Sequence, residues 1–166
     1  RILRTASLPL IDDASIAIDE NIAIGTTIHD VNDSNSGVDT DSAGDVLSYS
    51  IIGGTGENFF SIDSATGVIT VTNSNALDYE TNTSFNLIVE ADDGLYQDTA
   101  NINIALNNLN DNAPLILGAA LNLNENSANG TVVYDVNDNN TGGDTDLDAD
   151  SIAYSITGGT GASVFG

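Results

Sequence analysis

A constant offset of 105 residues runs through this chain, as from Glu20 to Glu125. Asp30-Val31-Asn32-Asp33 returns as Asp135-Val136-Asn137-Asp138, and Asp39-Thr40-Asp41 returns as Asp144-Thr145-Asp146. Tyr49-Ser50-Ile51 returns as Tyr154-Ser155-Ile156, and Gly53-Gly54-Thr55-Gly56 as Gly158-Gly159-Thr160-Gly161. Five blocks at one spacing define a tandem array whose unit has the size of a single domain. The 166 residues then hold one whole unit and part of a second. The expected division is 1–12 as leader, upstream linker or tag remnant, 13–108 as a complete domain, 109–114 as a linker, and 115–166 as the N-terminal half of the next domain. The array is expected to continue past Gly166.

Inside the complete unit, apolar residues recur at every second position, the period of a half-buried strand. Ser15 to Ile18, Thr26 to His29, Leu47 to Ile51, Phe59 to Ile62, Val68 to Val71, Phe85 to Ala91 and Ala100 to Leu106 are the expected strands. Gly25, the polar run from Asp30 to Asp45, Gly53-Gly54-Thr55-Gly56, the turn around Asp63 to Gly67, and Asp92-Asp93-Gly94 separate them. Helical spacing is never sustained over about ten positions. Seven short strands within about 100 residues predict an all-β, seven-stranded antiparallel sandwich. Residues 115–166 carry about three of these strands and none of the return strands that would cover them. That half is expected to be poorly ordered unless it pairs with another chain.

Charge narrows the function. Against 25 acidic residues stand two basic ones, Arg1 and Arg4, for a net charge of −23. Phosphate contacts need cations, so a nucleic-acid partner is excluded, and docking on an anionic membrane is disfavoured for the same reason. The carboxylates have no internal partners and repel unless a bound cation or screening salt intervenes. There is no cysteine and a single histidine, His29, which removes thiolate zinc sites and disulfides. No apolar run reaches the roughly 20 residues that span a bilayer, so direct membrane insertion is not expected. Without cysteine or a lysine, one histidine leaves no nucleophile–base pair, and an enzyme is not expected.

The acidity is concentrated in places that suit a hard cation. In Leu109-Asn110-Asp111-Asn112-Ala113-Pro114 several oxygen donors stand in a row, and Pro114 stiffens the exit. Such a segment is a linker that becomes rigid once its charge is neutralised, and calcium is the expected ion. Together with Glu20 and Leu77-Asp78-Tyr79-Glu80, the run Asn108 to Pro114 resembles the cadherin repeat, in the bacterial cadherin-like form of large surface adhesins. The resemblance covers residues 13–114 fully and 115–165 in part. It implies an immunoglobulin-like Greek-key sandwich of cadherin type, with Ca2+ held where the loops of one unit meet the linker. Calcium takes six to eight oxygens in flexible geometry, which converging loops supply readily.

By that resemblance Glu20, Asp78, Glu80 and Asp111 would bind on the first unit's side. Asn110 by its side chain and Asn112 by its backbone carbonyl would face a further ion. Asn108 stands where the family usually has Asp. In the next unit Asp138 and Asn140 occupy the place of an Asp-x-Asp pair, with Asp144 and Asp146 as the rival. An upstream junction would use Asp33, Asn35 and Asp92. Loss of carboxylates at positions 108 and 140 should weaken the ion furthest from the first unit. Ordinary solvated turns are the plainer reading of the same residues.

The resemblance implies an extracellular, secreted or cell-surface repeat that calcium makes rigid for adhesion, anchored elsewhere in its chain. Its partners would be neighbouring repeats, the same protein on another cell, or a surface glycan. The alternative is a carbohydrate-binding module of a surface protein or polysaccharide-degrading enzyme. The absence of tryptophan and the 5% share of aromatics count against a sugar-stacking platform.

Overall fold

The computed structural model describes residues 8–32, 46–137 and 144–165. The chain divides into two compact units between Leu109 and Asn110. In the first, the alternating segments form β1 (Ala14–Asp19), β2 (Thr27–Asp30), β3 (Ser48–Gly53), β4 (Phe60–Ile62), β5 (Val68–Val71), β6 (Ser84–Asp92) and β7 (Gln97–Asn107). A 3-10 turn, Ser74–Ala76, interrupts the run between β5 and β6. The strands make a four-stranded sheet in the order β1-β7-β6-β3 and a three-stranded sheet in the order β2-β5-β4. The expected sandwich is present.

Its core follows from the period of two. Along β7, Ala100, Ile102, Ile104 and Leu106 are buried while Thr99, Asn101, Asn103, Ala105 and Asn107 face outward. Opposite them on β6, Phe85, Leu87, Val89 and Ala91 are buried. Ile69 and Val71 of β5, with Val31, Tyr49, Phe60 and Leu77, close the same core. Phe59 and Phe60 meet Phe85 edge-on, with ring centroids at 5.2 and 6.1 Å.

One pairing departs from the all-antiparallel expectation. β1 runs parallel to β7, with Ala14 opposite Ile102 and Asp19 opposite Asn107. Parallel neighbours need a long crossover, and here the whole unit serves as that connection. The consequence is positional: the end of the first strand and the exit from the last lie side by side. Near the start of β6, at this same end of the sheet, Gly54 sits at φ +108, where a side chain is strained, and an added Cβ would lie 2.2 Å from the Asn86 carbonyl oxygen. That glycine lets the loop after β3 cross close over β6.

The second unit contains no strand among its described residues. Among them, an isolated antiparallel bridge joins Leu115 and Thr145, with N–O distances of 2.8 and 3.3 Å. The strand patterns this half carries form no ladder among the described residues, and the reason lies in the pairing. In the first unit β1, β2 and β3 take their sheet partners from β7, β5 and β6, all in the later half of the repeat. Residues 110–166 repeat only the earlier half. An open apolar cleft of about 1250 Å³ lies in this unit, lined in part by Ile116, Tyr134, Tyr154, Ile156 and Phe165.

Candidate metal centre

Parallel pairing of β1 with β7 sets up the site. Glu20 follows β1 directly, and its backbone N–H donates to the Asn107 carbonyl at 3.2 Å. The next N–H, of Asn21, donates to the Leu77 carbonyl at 2.8 Å. Three stretches thus converge at one end of the sandwich: the residues after β1, the segment 77–80 some 60 residues further on, and the exit from β7 almost 90 residues beyond the first.

Glu20 is 1% exposed. A carboxylate this deeply buried needs strong donors, and two backbone amides supply them. The Tyr79 N–H donates to Oε2 and the Leu109 N–H to Oε1, both at 2.7 Å. Leu77 is fully buried and Tyr79 packs against the core, which anchors the Leu-Asp-Tyr-Glu segment and leaves Asp78 half-buried at its surface. Asp78 folds its own turn. Its Oδ1 accepts from the Glu80 and Thr81 amides at 3.1 and 3.3 Å, and its Oδ2 from the Thr81 hydroxyl at 2.9 Å.

Carboxylate oxygens of Glu20, Asp78 and Glu80 all lie within 4.8 Å of one another. Unit charges at that spacing repel by about 3 kcal/mol per pair at an effective dielectric near 20. Domain stability as a whole is about 5–15 kcal/mol, so a neutralising partner matters. No Lys or Arg follows Arg4 in the sequence. Three carboxylates, with neither nitrogen nor sulfur donors among them, match the hard-oxygen preference of calcium. The donor set fits that ion.

From Asn110 onward the linker belongs to the second unit, where an acid absent from the expected set holds it. Asp148 is buried. Its Oδ2 accepts from the Asp111 and Asn112 amides at 3.0 and 2.8 Å, and its Oδ1 from the Asn112 side chain at 2.9 Å. The Asn110 side-chain amide donates to Asp150. Asp146 instead caps its own turn, accepting from the Asp148 and Asp150 amides at 3.0 and 3.4 Å. Asp144 accepts from the Leu117 amide at 3.2 Å. These two acids bond Leu117 and their own turn, whereas Asp148-Ala149-Asp150 holds the linker from two positions. The signal available was the unbroken alternation Asp144, Asp146, Asp148, Asp150, but position 148 corresponds at offset 105 to Ala43, so comparing the copies hid it.

The remaining candidates fall elsewhere. Asn108 is exposed just past β7. Asp92 closes the β6–β7 hairpin, accepting from the Gln97 side chain at 2.9 Å and from the Gly94 amide. Those two bonds, the Gln97 one foremost, hold its carboxyl below the usual range. Asp33, Asn35, Asp138 and Asn140 lie outside the described residues.

A two-sheet sandwich with acidic loops gathered where β1 ends and β7 exits is the architecture of a cadherin-type extracellular repeat. The family model for the cadherin domain matches residues 14–107, and the chain belongs to that family. The chain is 35% identical over 121 residues to the cadherin EGF LAG seven-pass G-type receptor 2 of Mus musculus, covering 72% of this chain and 4% of the relative. It is 32% identical over 149 residues to protocadherin Fat 4 of Mus musculus, covering 86% of this chain and 3% of the relative. Among solved structures it is similar to protocadherin gamma B2 extracellular cadherin domains 3–6, with a TM-score of 0.58 and 27% identity over 72% of this chain and 29% of that one. The chain thus spans only a few per cent of the length of these curated relatives. Among the described residues no helix is long and apolar enough to cross a membrane.

Proposed function

We propose that this chain is a calcium-binding repeat of an extracellular adhesion protein, in which bound ions fix the linker relative to the unit that precedes it. The observation that carries the reading is the convergence of Glu20, Asp78 and Glu80 within 4.8 Å, at the end of the unit from which the linker leaves. Calcium there would supply positive charge and six to eight coordination positions. Glu20, Asp78 and Glu80 would hold it from the first unit, and the family resemblance adds Asp111. By the same resemblance Asn110 and Asn112 would face a further ion, at a position flanked by Asn108. The chain's own residues prepare the arrangement: Leu77 anchors the acidic turn, Asp78 shapes it, and Asp148 orders the linker amides.

The ion stabilises by mass action, since a ligand bound only to the folded form adds RT ln(1 + [L]/Kd). Weak sites would fill outside cells, where calcium is plentiful. Stiffened repeats would project or present adhesive faces, with neighbouring repeats or a second copy of the protein as partners. The bacterial surface setting rests on the form of the repeat alone, and the relatives compared are animal proteins.

Thermal melts of the whole chain in EDTA and in millimolar calcium test the reading. At 100 times Kd the gain is about 2.7 kcal/mol, which raises Tm by about 10–20 °C for a domain of about 100 residues. Glu80→Ala removes most of that rise. An identical Tm with and without calcium in the unsubstituted chain refutes the reading.

A further inference from the structure

We infer that Glu20 is a clasp that closes the exit end of the first unit without any metal, so that the acidic loops are positioned before an ion arrives. This role is separate from that of a calcium ligand, and it holds whether or not the site binds calcium.

The side chain is 1% exposed and both of its oxygens accept from backbone amides at 2.7 Å. The donors, Tyr79 and Leu109, are 59 and 89 residues away in sequence. One carboxylate therefore ties the end of β1 to the acidic turn and to the chain leaving β7. Asp78 differs in kind, because its carboxylate bonds within its own turn, to Glu80 and Thr81. Charge-assisted bonds to a buried carboxylate are short and strong, and removing the acceptor leaves two amide donors facing a dry site. The length of the side chain is also fixed by the task. Aspartate keeps the charge but is one methylene shorter, and from the end of β1 it cannot reach both amides.

Each carboxylate oxygen of Glu20 has a second lone pair, so the clasp and an ion do not compete for the same positions. The linker's departure point is set at Leu109 by the protein itself. Calcium then meets loops already converged, which lowers the ordering cost of binding.

Amide hydrogen exchange in chelator, read residue by residue on the full chain, tests the clasp. Tyr79 and Leu109 are expected to be protected in EDTA. Glu20→Gln and Glu20→Asp should speed exchange at both amides by about ten- to hundredfold, the range set by a lost charge-assisted bond. Asp78→Asn keeps an acceptor in the turn and should leave both within about threefold. Should the Glu20 variants fail to fold in chelator, the unsubstituted protein still decides: protection of both amides supports the clasp. Free exchange at either amide in EDTA, or rates unchanged by Glu20→Gln, overturns it. Because every arm is metal-free, failure here is distinct from failure of the calcium reading, which the melts address.

Discussion

The two copies of the repeat carry the same pattern and form different structures. Tyr49 is 4% exposed and Tyr154, its counterpart, 40%; Phe60 is 3% exposed and Phe165 47%. Gly54 and Gly159 hold nearly the same backbone angle, φ +108 and +105, yet a Cβ on the first would strike the β6 backbone and one on the second would meet nothing within 4 Å. Local conformation is thus dictated by the residues themselves, while strands are not. A strand requires a neighbour to take its N–H and C=O groups, and every neighbour of β1, β2 and β3 comes from the later half of the unit. Alternation specifies which face is buried; it does not by itself supply the surface to bury it against.

Substitutions at matched positions measure that difference. The largest effect is expected for Phe60→Ala, which should cost about 3–5 kcal/mol by the usual penalty for removing a buried aromatic ring. Phe165→Ala should change stability by about 0.5 kcal/mol or less, as at an exposed site. Urea unfolding of the whole chain reads both, and equal losses would mean that the second copy is packed like the first.

Next in size is the glycine pair. Gly54→Ala combines a strained φ with a backbone clash, and a loss of about 3 kcal/mol or more is expected from those effects together. Gly159→Ala carries only the conformational penalty of about 1–2 kcal/mol. Differential scanning calorimetry separates the two cases, and a first-copy loss no greater than the second would show that the β3–β6 crossing is looser than described.

The smallest effect concerns pH. Burial lowers the His29 imidazole below its ordinary value of 6.5, against the opposing pull of Asp30. Its Nε2 is buried without a hydrogen-bond partner. The folded unit therefore holds the ring neutral more firmly than the unfolded chain does. Stability from this source is complete above pH 6.5 and declines as pH falls below it toward the lowered folded value. The second copy has Tyr134 at the corresponding position. His29→Tyr should accordingly flatten the urea midpoint between pH 5 and 7, and an undiminished slope would assign the decline to carboxylates alone.

Much of this was legible in the sequence for a local reason. Each of the seven strands shows its alternation within a few residues, and the turns between them carry glycine and aspartate, so strand positions could be read one at a time. Glu20, Asp78 and Glu80 were legible together only through the family resemblance. The parallel β1–β7 pairing was not, because register between segments some 88 residues apart leaves no trace in either alternation. That pairing is also what brings Glu20 to Leu109, so the clasp was hidden with it. Asp148 escaped for the opposite reason: the repeat itself directed attention to positions that both copies share, and the first copy has Ala43 there.

Calorimetric titration of the whole chain with calcium, beside Asp78→Asn and Glu80→Ala, reaches the central claim most directly. Saturable binding that is weakened in both variants is the predicted result. Binding that is absent, or equal in all three proteins, would contradict the assignment of these carboxylates to a metal centre.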